Sequence, residues 1–390
     1  MSLCYYRAAM RVILFTGRGG TGVSTVAAAT AVALAESGQR TLAFGLGSGL
    51  GGALGTPLTH EASEVAADLF GLECGHGEDE PDEFRDWLED MLDWRGVDVE
   101  LAEDLAALPG ANQIGRMLNL AQEVEEGGYD VVVVDALPLE QFLDLPGSLD
   151  AAARWLDKLF APRQANVLEP FVRMFAADYA AEGEEILESG REFLGRLAQL
   201  RELLTDPSVS TVRVVLRADE SASSDAKSAL TALGLFSYSV DALVLNRLLP
   251  DSVTDEFFAE TRSEQTKVAA EVEDLAGVMP VLRGQLTARA PRERDALKGL
   301  ADEIYGERDP GLVLHETEAH SFAQAEGGYV MTLSLPHAER KELAVEQLDD
   351  GVAVHVNGRR CVLSLPEEVR NREAASWAFE PPVLKVIFKR

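Results

Sequence analysis

Nine consecutive residues carry the clearest chemistry in the chain: Gly17, Arg18, Gly19, Gly20, Thr21, Gly22, Val23, Ser24 and Thr25. Closely spaced glycines let backbone N–H groups turn inward around phosphate oxygens, and a helix that starts just behind them adds its partial positive charge. Gly17, Gly22 and Ser24 keep the spacing of the phosphate loop G-x-x-x-x-G-K-[ST], in which the lysine reaches the β- and γ-phosphates and the hydroxyl holds magnesium. The lysine position is Val23. A charge-assisted contact is worth about 1.5–3 kcal/mol, so its loss weakens nucleotide binding roughly ten- to a hundredfold. The backbone cradle, Arg18 and Ser24 remain. A carboxylate, Asp135, follows the four valines Val131–Val134 and stands where a strand-tip acid would join Ser24 in holding magnesium.

The elements that must position these groups can be read nearby. The apolar run Val12–Phe15 precedes the loop, and the Ala/Val-rich stretch Val26–Ala35 follows it until Gly38 stops it as a helix C-cap would. Further apolar runs at Thr41–Phe44, Thr211–Leu216 and Asp241–Leu245 alternate with helical segments, which predicts an α/β fold with a mostly parallel sheet and helices on both faces. The glycines also fit the dinucleotide fingerprint, as Gly17-x-Gly19-x-x-Gly22 and again as Gly47-x-Gly49-x-x-Gly52. That fingerprint wants an acid at the tip of the second strand, and the run Thr41–Phe44 ends in Gly45. Gly45–Gly55 reads equally as a ligand contact or a surface loop.

Together, the lysine-poor loop, Asp135 with Pro138, Leu145-Pro146 ahead of Arg154-Trp155-Leu156-Asp157-Lys158, and Asn246-Arg247 resemble one family over roughly Arg11–Gly306. It is the arsenite-pump ATPase and tail-anchored-protein targeting ATPase family, a deviant-Walker branch of the P-loop NTPases. The family's loop reads Gly-Lys-Gly-Gly-Val-Gly-Lys-Thr-Thr, so its signature lysine maps to Arg18 and its second lysine to Val23. Its switch I aspartate maps to Gly47, and of its switch II run only Asp135 and Pro138 persist across Asp135–Phe142. The resemblance implies ATP and magnesium as cofactors. The nucleotide-binding set would be Gly17, Arg18, Gly19, Gly20, Thr21, Gly22, Val23, Ser24, Thr25 and Asn246, with Ser24 and Asp135 at the metal. It also implies a homodimer in which Arg18 reaches the partner's nucleotide, and a helical subdomain that holds a hydrophobic client or membrane-protein segment. The family's zinc cysteines have no counterpart, so no zinc is expected. No catalytic residue is assigned, and the substitutions at Val23 and Gly47 point to weak or absent hydrolysis. The alternative is a non-enzymatic holdase or ligand-binding protein that lost nucleotide binding; an arsenite-efflux role is weaker still.

Apolar residues recur at helical spacing at Phe84, Trp87, Leu88, Met91 and Leu92, and at Leu168, Phe171, Val172, Phe175 and Tyr179. These stripes fit either a client groove, to which Met91, Met117, Met174 and Phe175 would lend adaptability, or the subdomain's own core or dimer contact. Beyond Pro310 the period becomes two, along Tyr329, Met331, Leu333 and Leu335 and again along Val352, Val354 and Val356. Asn357-Gly358 is a hairpin signal. With Leu335-Pro336, Asp350-Gly351-Val352 and Leu365-Pro366, the run Leu314–Arg390 resembles an α-crystallin (small heat-shock protein) β-sandwich. The expected organisation is a P-loop ATPase-like domain over 10–310, its helical subdomain at 56–127 and 140–210, and an all-β sandwich over 314–390. The change of period near Pro310 predicts a separable sandwich and a cleavable junction at Gly306–Leu312.

A net charge of −31 argues against nucleic acid as a partner, since like charges repel. No apolar run approaches the length of a membrane span and no secretory signal is present, so a cytoplasmic protein that is not integral to a membrane is expected. The three cysteines, Cys4, Cys74 and Cys361, are scattered, and Cys74-Gly75-His76 lacks a second ligand pair for zinc.

Overall fold

The computed structural model describes residues 10–74, 86, 87, 89, 90, 111–160, 180–316, 320–325, 328–348, 351–366, 369 and 374–389. Chain order runs β1 (Arg11–Gly17), α1 (Val23–Glu36), β2 (Thr41–Gly45), α2 (Leu50–Leu54), β3 (Ser63–Ala66), β4 (Leu69–Glu73), α3 (Ala111–Glu126), β5 (Val131–Asp135), α4 (Leu139–Phe160), α5 (Ala180–Thr205), β6 (Ser210–Arg217), α6 (Ala222–Leu235), β7 (Val240–Leu248), α7 (Ala259–Ala276), β8 (Val281–Gln285) and α8 (Arg294–Tyr305). All-β structure follows: β9 (Ser321–Ala325), β10 (Gly328–Ser334), β11 (Leu343–Gln347), β12 (Gly351–Val356), β13 (Arg359–Ser364), β14 (Ala374–Glu380) and β15 (Val383–Lys389).

The first eight strands form one sheet in the order β3-β4-β2-β5-β1-β6-β7-β8, parallel except for the β3–β4 pair. Its central strands are apolar on both faces: Val12–Phe15 and Val131–Val134 are buried throughout, as a sheet covered on both sides requires. Helix α1 is buried over nearly its whole circumference between the sheet and α8, which its small alanines allow. It ends in a paired αL cap: Gly38, at φ 85°, donates to the Ala35 carbonyl, and Gln39 donates to that of Leu34.

The expected α/β sheet, with its helices, and the all-β C-terminal region are both present. Two short strands differ from the sequence reading. Ser63–Ala66 and Leu69–Glu73 extend the sheet where the helical insertion was expected to begin. They are four and five residues long and joined by a turn in which Asp68 takes φ 59°, too short for a periodicity to declare itself. Edge strand β8 was not assigned either; only alternate residues are buried, so it lacks the apolar run that marks its neighbours.

Contacts divide the chain into two compact units. One holds the eight-stranded sheet and the C-terminal strands; the other comprises 76–128 and 145–203. In the second, Trp87 of the first stripe packs on Phe193 at 5.3 Å, and Met117 is buried. The remainder of the two stripes, with Met91, Met174 and Phe175, lies outside the described residues, as do Cys4 and His76.

Within the first unit the C-terminal strands form a four-stranded sheet, β14-β15-β10-β9, and a three-stranded sheet, β11-β12-β13. Asn357 and Gly358, at φ 51° and 80°, make the two-residue turn of the β12–β13 hairpin. This region is not loosely tethered. Arg213, fully buried, pairs with Asp241 at 3.0 and 3.1 Å and donates to the Leu312 carbonyl. Arg11 donates to the Gly311 carbonyl, and the Leu314 amide donates to Asp241. The junction expected to be cleavable, exposed at Gly306–Asp309 and at Leu312, is thus tied to the sheet by two arginines and a buried carboxylate. Beyond it, Thr231 on α6 donates to the Pro336 carbonyl, and Ser237 bonds His320 at 2.6 Å. Among the described residues, no helix is long and apolar enough to cross a membrane.

Candidate functional site

The glycine loop lies at the carboxyl end of β1, between β5 and β6, where successive connections leave the sheet in opposite directions and open a crevice. Gly17 cannot be another residue: a Cβ there would come within 2.3 Å of the Val215 carbonyl on β6. Gly20 and Gly22 take φ 86° and 95°, the left-handed region that a phosphate-cradling turn needs. Open space lies where side chains of residues 19 and 20 would stand. Gly22 is the N-cap of α1 and has no side chain with which to cap the helix's first-turn amides. Thr21 folds back onto Arg18, its hydroxyl donating to that carbonyl at 2.9 Å. Val23 is half-buried against the core cluster, and Ser24 and Thr25 follow in the first turn of α1.

Asp135 pairs in register with Phe15 of β1, which sets its carboxylate beside the start of α1. The Ser24 hydroxyl and the Asp135 carboxylate border the same point, lying 3.0 and 4.0 Å from where a Cβ on Gly49 would stand. Burial pushes this carboxyl up to about 6; the Ser24 hydroxyl opposes the shift, and the charge of Glu73 adds to it. A hydroxyl and a carboxylate held together are the hard oxygen donors that magnesium takes, with nucleotide and water to complete its shell. The described residues hold no cluster of three or more metal-binding side chains, so any magnesium here depends on those outside oxygens. The site thus fits magnesium nucleotide at its metal end and lacks the cation of position 23 and the carboxylate of position 47.

Two members of the sequence-derived set act on the protein itself. The Arg18 guanidinium forks onto Asp225 of α6, at 2.6 and 3.0 Å, and Asp225 also accepts from Ser221. Hydrogen bonding to Asp225 raises the Arg18 pKa first, followed by the charges of Asp225, Glu140 and Asp219. Asn246, at the tip of β7, donates to the Thr21 carbonyl at 2.8 Å and lies against Gly22, so its amide supports the loop from behind.

Glu73 was not singled out by the sequence. It ends β4 and accepts from the amides of Gly49 and Leu50, the latter at 2.8 Å, which pins the loop Gly47–Gly49 over Ser24 and Asp135. Gly45 and Gly51 make room for it, since a Cβ on either would come within 3.1 Å of its side chain. Gly47 faces open space. Asp225 was likewise missed. Strand-end and first-turn carboxylates are common, and nothing in their spacing from the loop marks these two.

The sequence model of the anion-transporting ATPase family matches residues 10–306, and that of the HSP20-like domain found in ArsA matches 326–388. The chain belongs to the ArsA ATPase family. Relatives span nearly all of it. A Chlorobaculum tepidum protein named "Putative arsenical pump-driving ATPase" is 26% identical over 97% of this chain and 96% of its own length. An Aquifex aeolicus protein of the same description is 25% identical over 93% and 96%. An ArsA-type domain with Val23 and Gly47 therefore sits in a chain that also carries the HSP20-like domain.

Proposed function

We propose that this ArsA-family chain binds magnesium ATP in the Gly17–Thr25 loop, hydrolyses it very slowly or not at all, and uses occupancy of the site to govern the handling of a hydrophobic protein segment as a homodimer. The observation that carries the reading is the Ser24–Asp135 pair beneath an open glycine cradle, a metal end without the phosphate cation. Hydrolysis needs a positioned water and stabilised transition-state charge. Val23 and Gly47 supply neither side chain. Calorimetric titration with ATP and magnesium tests binding, and steady-state phosphate release tests turnover. Saturable magnesium-dependent binding with turnover below about 1 per second is expected; a rate within the ordinary enzyme range of about 1–1,000 per second, abolished by Asp135→Asn, overturns the slow-turnover reading.

The second reading is a non-enzymatic binder or holdase. The Arg18–Asp225 pair favours it, because the loop's one cation is engaged within the chain. Absence of any nucleotide binding in the titration would select it. The arsenical-pump role in the relatives' names is the weaker assignment for this chain. Cys74 and Cys361, the described cysteines, are buried at β4 and on β13 and form no thiol cluster.

A further inference from the structure

Arg359 opens β13 immediately after the Asn357-Gly358 turn, and its side chain leaves the sandwich for the helix that follows Asp135. Its Nη2 lies 3.3 Å from Glu140 and its Nε 3.2 Å from Asp144, two carboxylates one turn apart on α4. The arginine is largely covered, at 18% exposure, whereas both carboxylates are mostly exposed. Glu140 also acts in the other direction, since its charge contributes to the raised pKa of Arg18. Glu140 thus pairs directly with Arg359 of the HSP20-like domain, while its charge also acts on Arg18, which is itself paired with Asp225.

We propose that Arg359 is a positioning residue for the nucleotide site: by neutralising Glu140 and Asp144 it keeps two carboxylates from repelling an incoming polyphosphate. The inference rests on the nucleotide-binding reading. Its force comes from what the loop lacks. With Val23 in place of a cation, Arg18 is the loop's own positive side chain, and Asp225, Asp219 and Glu140 all bear on it. In a chain of net charge −31, uncompensated acids beside a polyphosphate site oppose binding. Arg359 is a cation that the structure places against Glu140 and Asp144, and it comes from the other family domain. This gives the HSP20-like domain a part in the ATP site without any of its residues touching the glycine loop.

Magnesium ATP affinity of the full-length chain is the measurement, in low salt. Arg359→Gln should weaken binding about threefold to tenfold, the scale of a pair of exposed charge interactions, while Arg359→Lys should restore most of the loss because the positive charge is what matters. Removing the acids in the same background, as Arg359→Gln with Glu140→Gln and Asp144→Asn, should also restore affinity, and 1 M salt should erase the difference. A merely structural arginine would be rescued by neither. Hydrogen exchange at Leu139–Asp144 without nucleotide gives an independent arm: Arg359→Gln should speed it. If the wild type binds ATP and Arg359→Gln binds equally well, the proposal is overturned. Should the wild type bind no ATP, the nucleotide reading fails, and exchange unchanged at Leu139–Asp144 overturns the positioning role separately.

Discussion

Val23 is one side chain away from the lysine-bearing form of the phosphate loop. It stands at the edge of the core cluster with Gly17 beside it, and a lysine stem can follow the same apolar path while its ammonium reaches the cradle. Val23→Lys should tighten magnesium ATP binding at least tenfold by calorimetry, the worth of a restored charge-assisted contact. No gain would mean that Arg18 and Asp225 have closed the cradle. At Asp135 the prediction concerns pH. Its carboxyl moves from an ordinary 3.8 to about 6, so between those values the folded chain holds a proton that the unfolded chain has released. Stability from this residue is therefore complete below about pH 4 and lost as pH rises through 6, at a cost of roughly 3 kcal/mol. Asp135→Asn should raise the metal-free melting temperature at pH 8 and leave it nearly unchanged at pH 4. A uniform shift across that range would count against the burial argument.

Helix α6 is the element on which several parts converge. Its first turn holds Arg18 through Asp225, and its last turn receives the C-terminal sheet. Gly234 sets that second contact: a Cβ there would lie 2.7 Å from the Ser334 carbonyl, a backbone atom that cannot swing aside. Helix propensity alone favours Ala over Gly by about 1 kcal/mol, so the two effects oppose each other. Overpacking against backbone costs about 1–3 kcal/mol. Gly234→Ala is therefore expected to lower the urea midpoint, and a stabilised variant would show that the sheet does not press on α6.

At the scale of the molecule, the buried Arg213–Asp241 pair ties the segment between the two family domains to the large sheet. Thr211 also donates to Asp241, and the Tyr305 hydroxyl accepts from Arg213, so the network fixes β6, β7, α8 and the segment Gly311–Leu314 together. Breaking one side leaves a buried charge without its partner, which costs about 3–5 kcal/mol. Arg213→Met should destabilise the chain on that scale and open Gly311–Leu314 to limited proteolysis, while the wild type resists cleavage there. Rapid wild-type cleavage at Gly306–Leu312 would return the sandwich to the status of a separable module.

The order of strand, glycine loop, helix and strand-tip acid was legible because each is local: Val12–Phe15, Gly17–Thr25, Val26–Ala35 and Asp135 declare themselves by composition and spacing within short windows. The β-period after Pro310 and the Asn357-Gly358 turn were legible for the same reason. Direction in space was not. That Arg18 faces Asp225, that Glu73 pins the Gly49–Leu50 amides, and that Arg359 meets Glu140 and Asp144 depend on strand order and helix packing, which bring residues up to 219 positions apart into contact. A carboxylate alone in sequence is a solvated charge by default; only the chain's return past a cation makes it a partner. The local pattern thus determined which atoms are available for phosphate chemistry, and the tertiary structure decided which of them are already engaged.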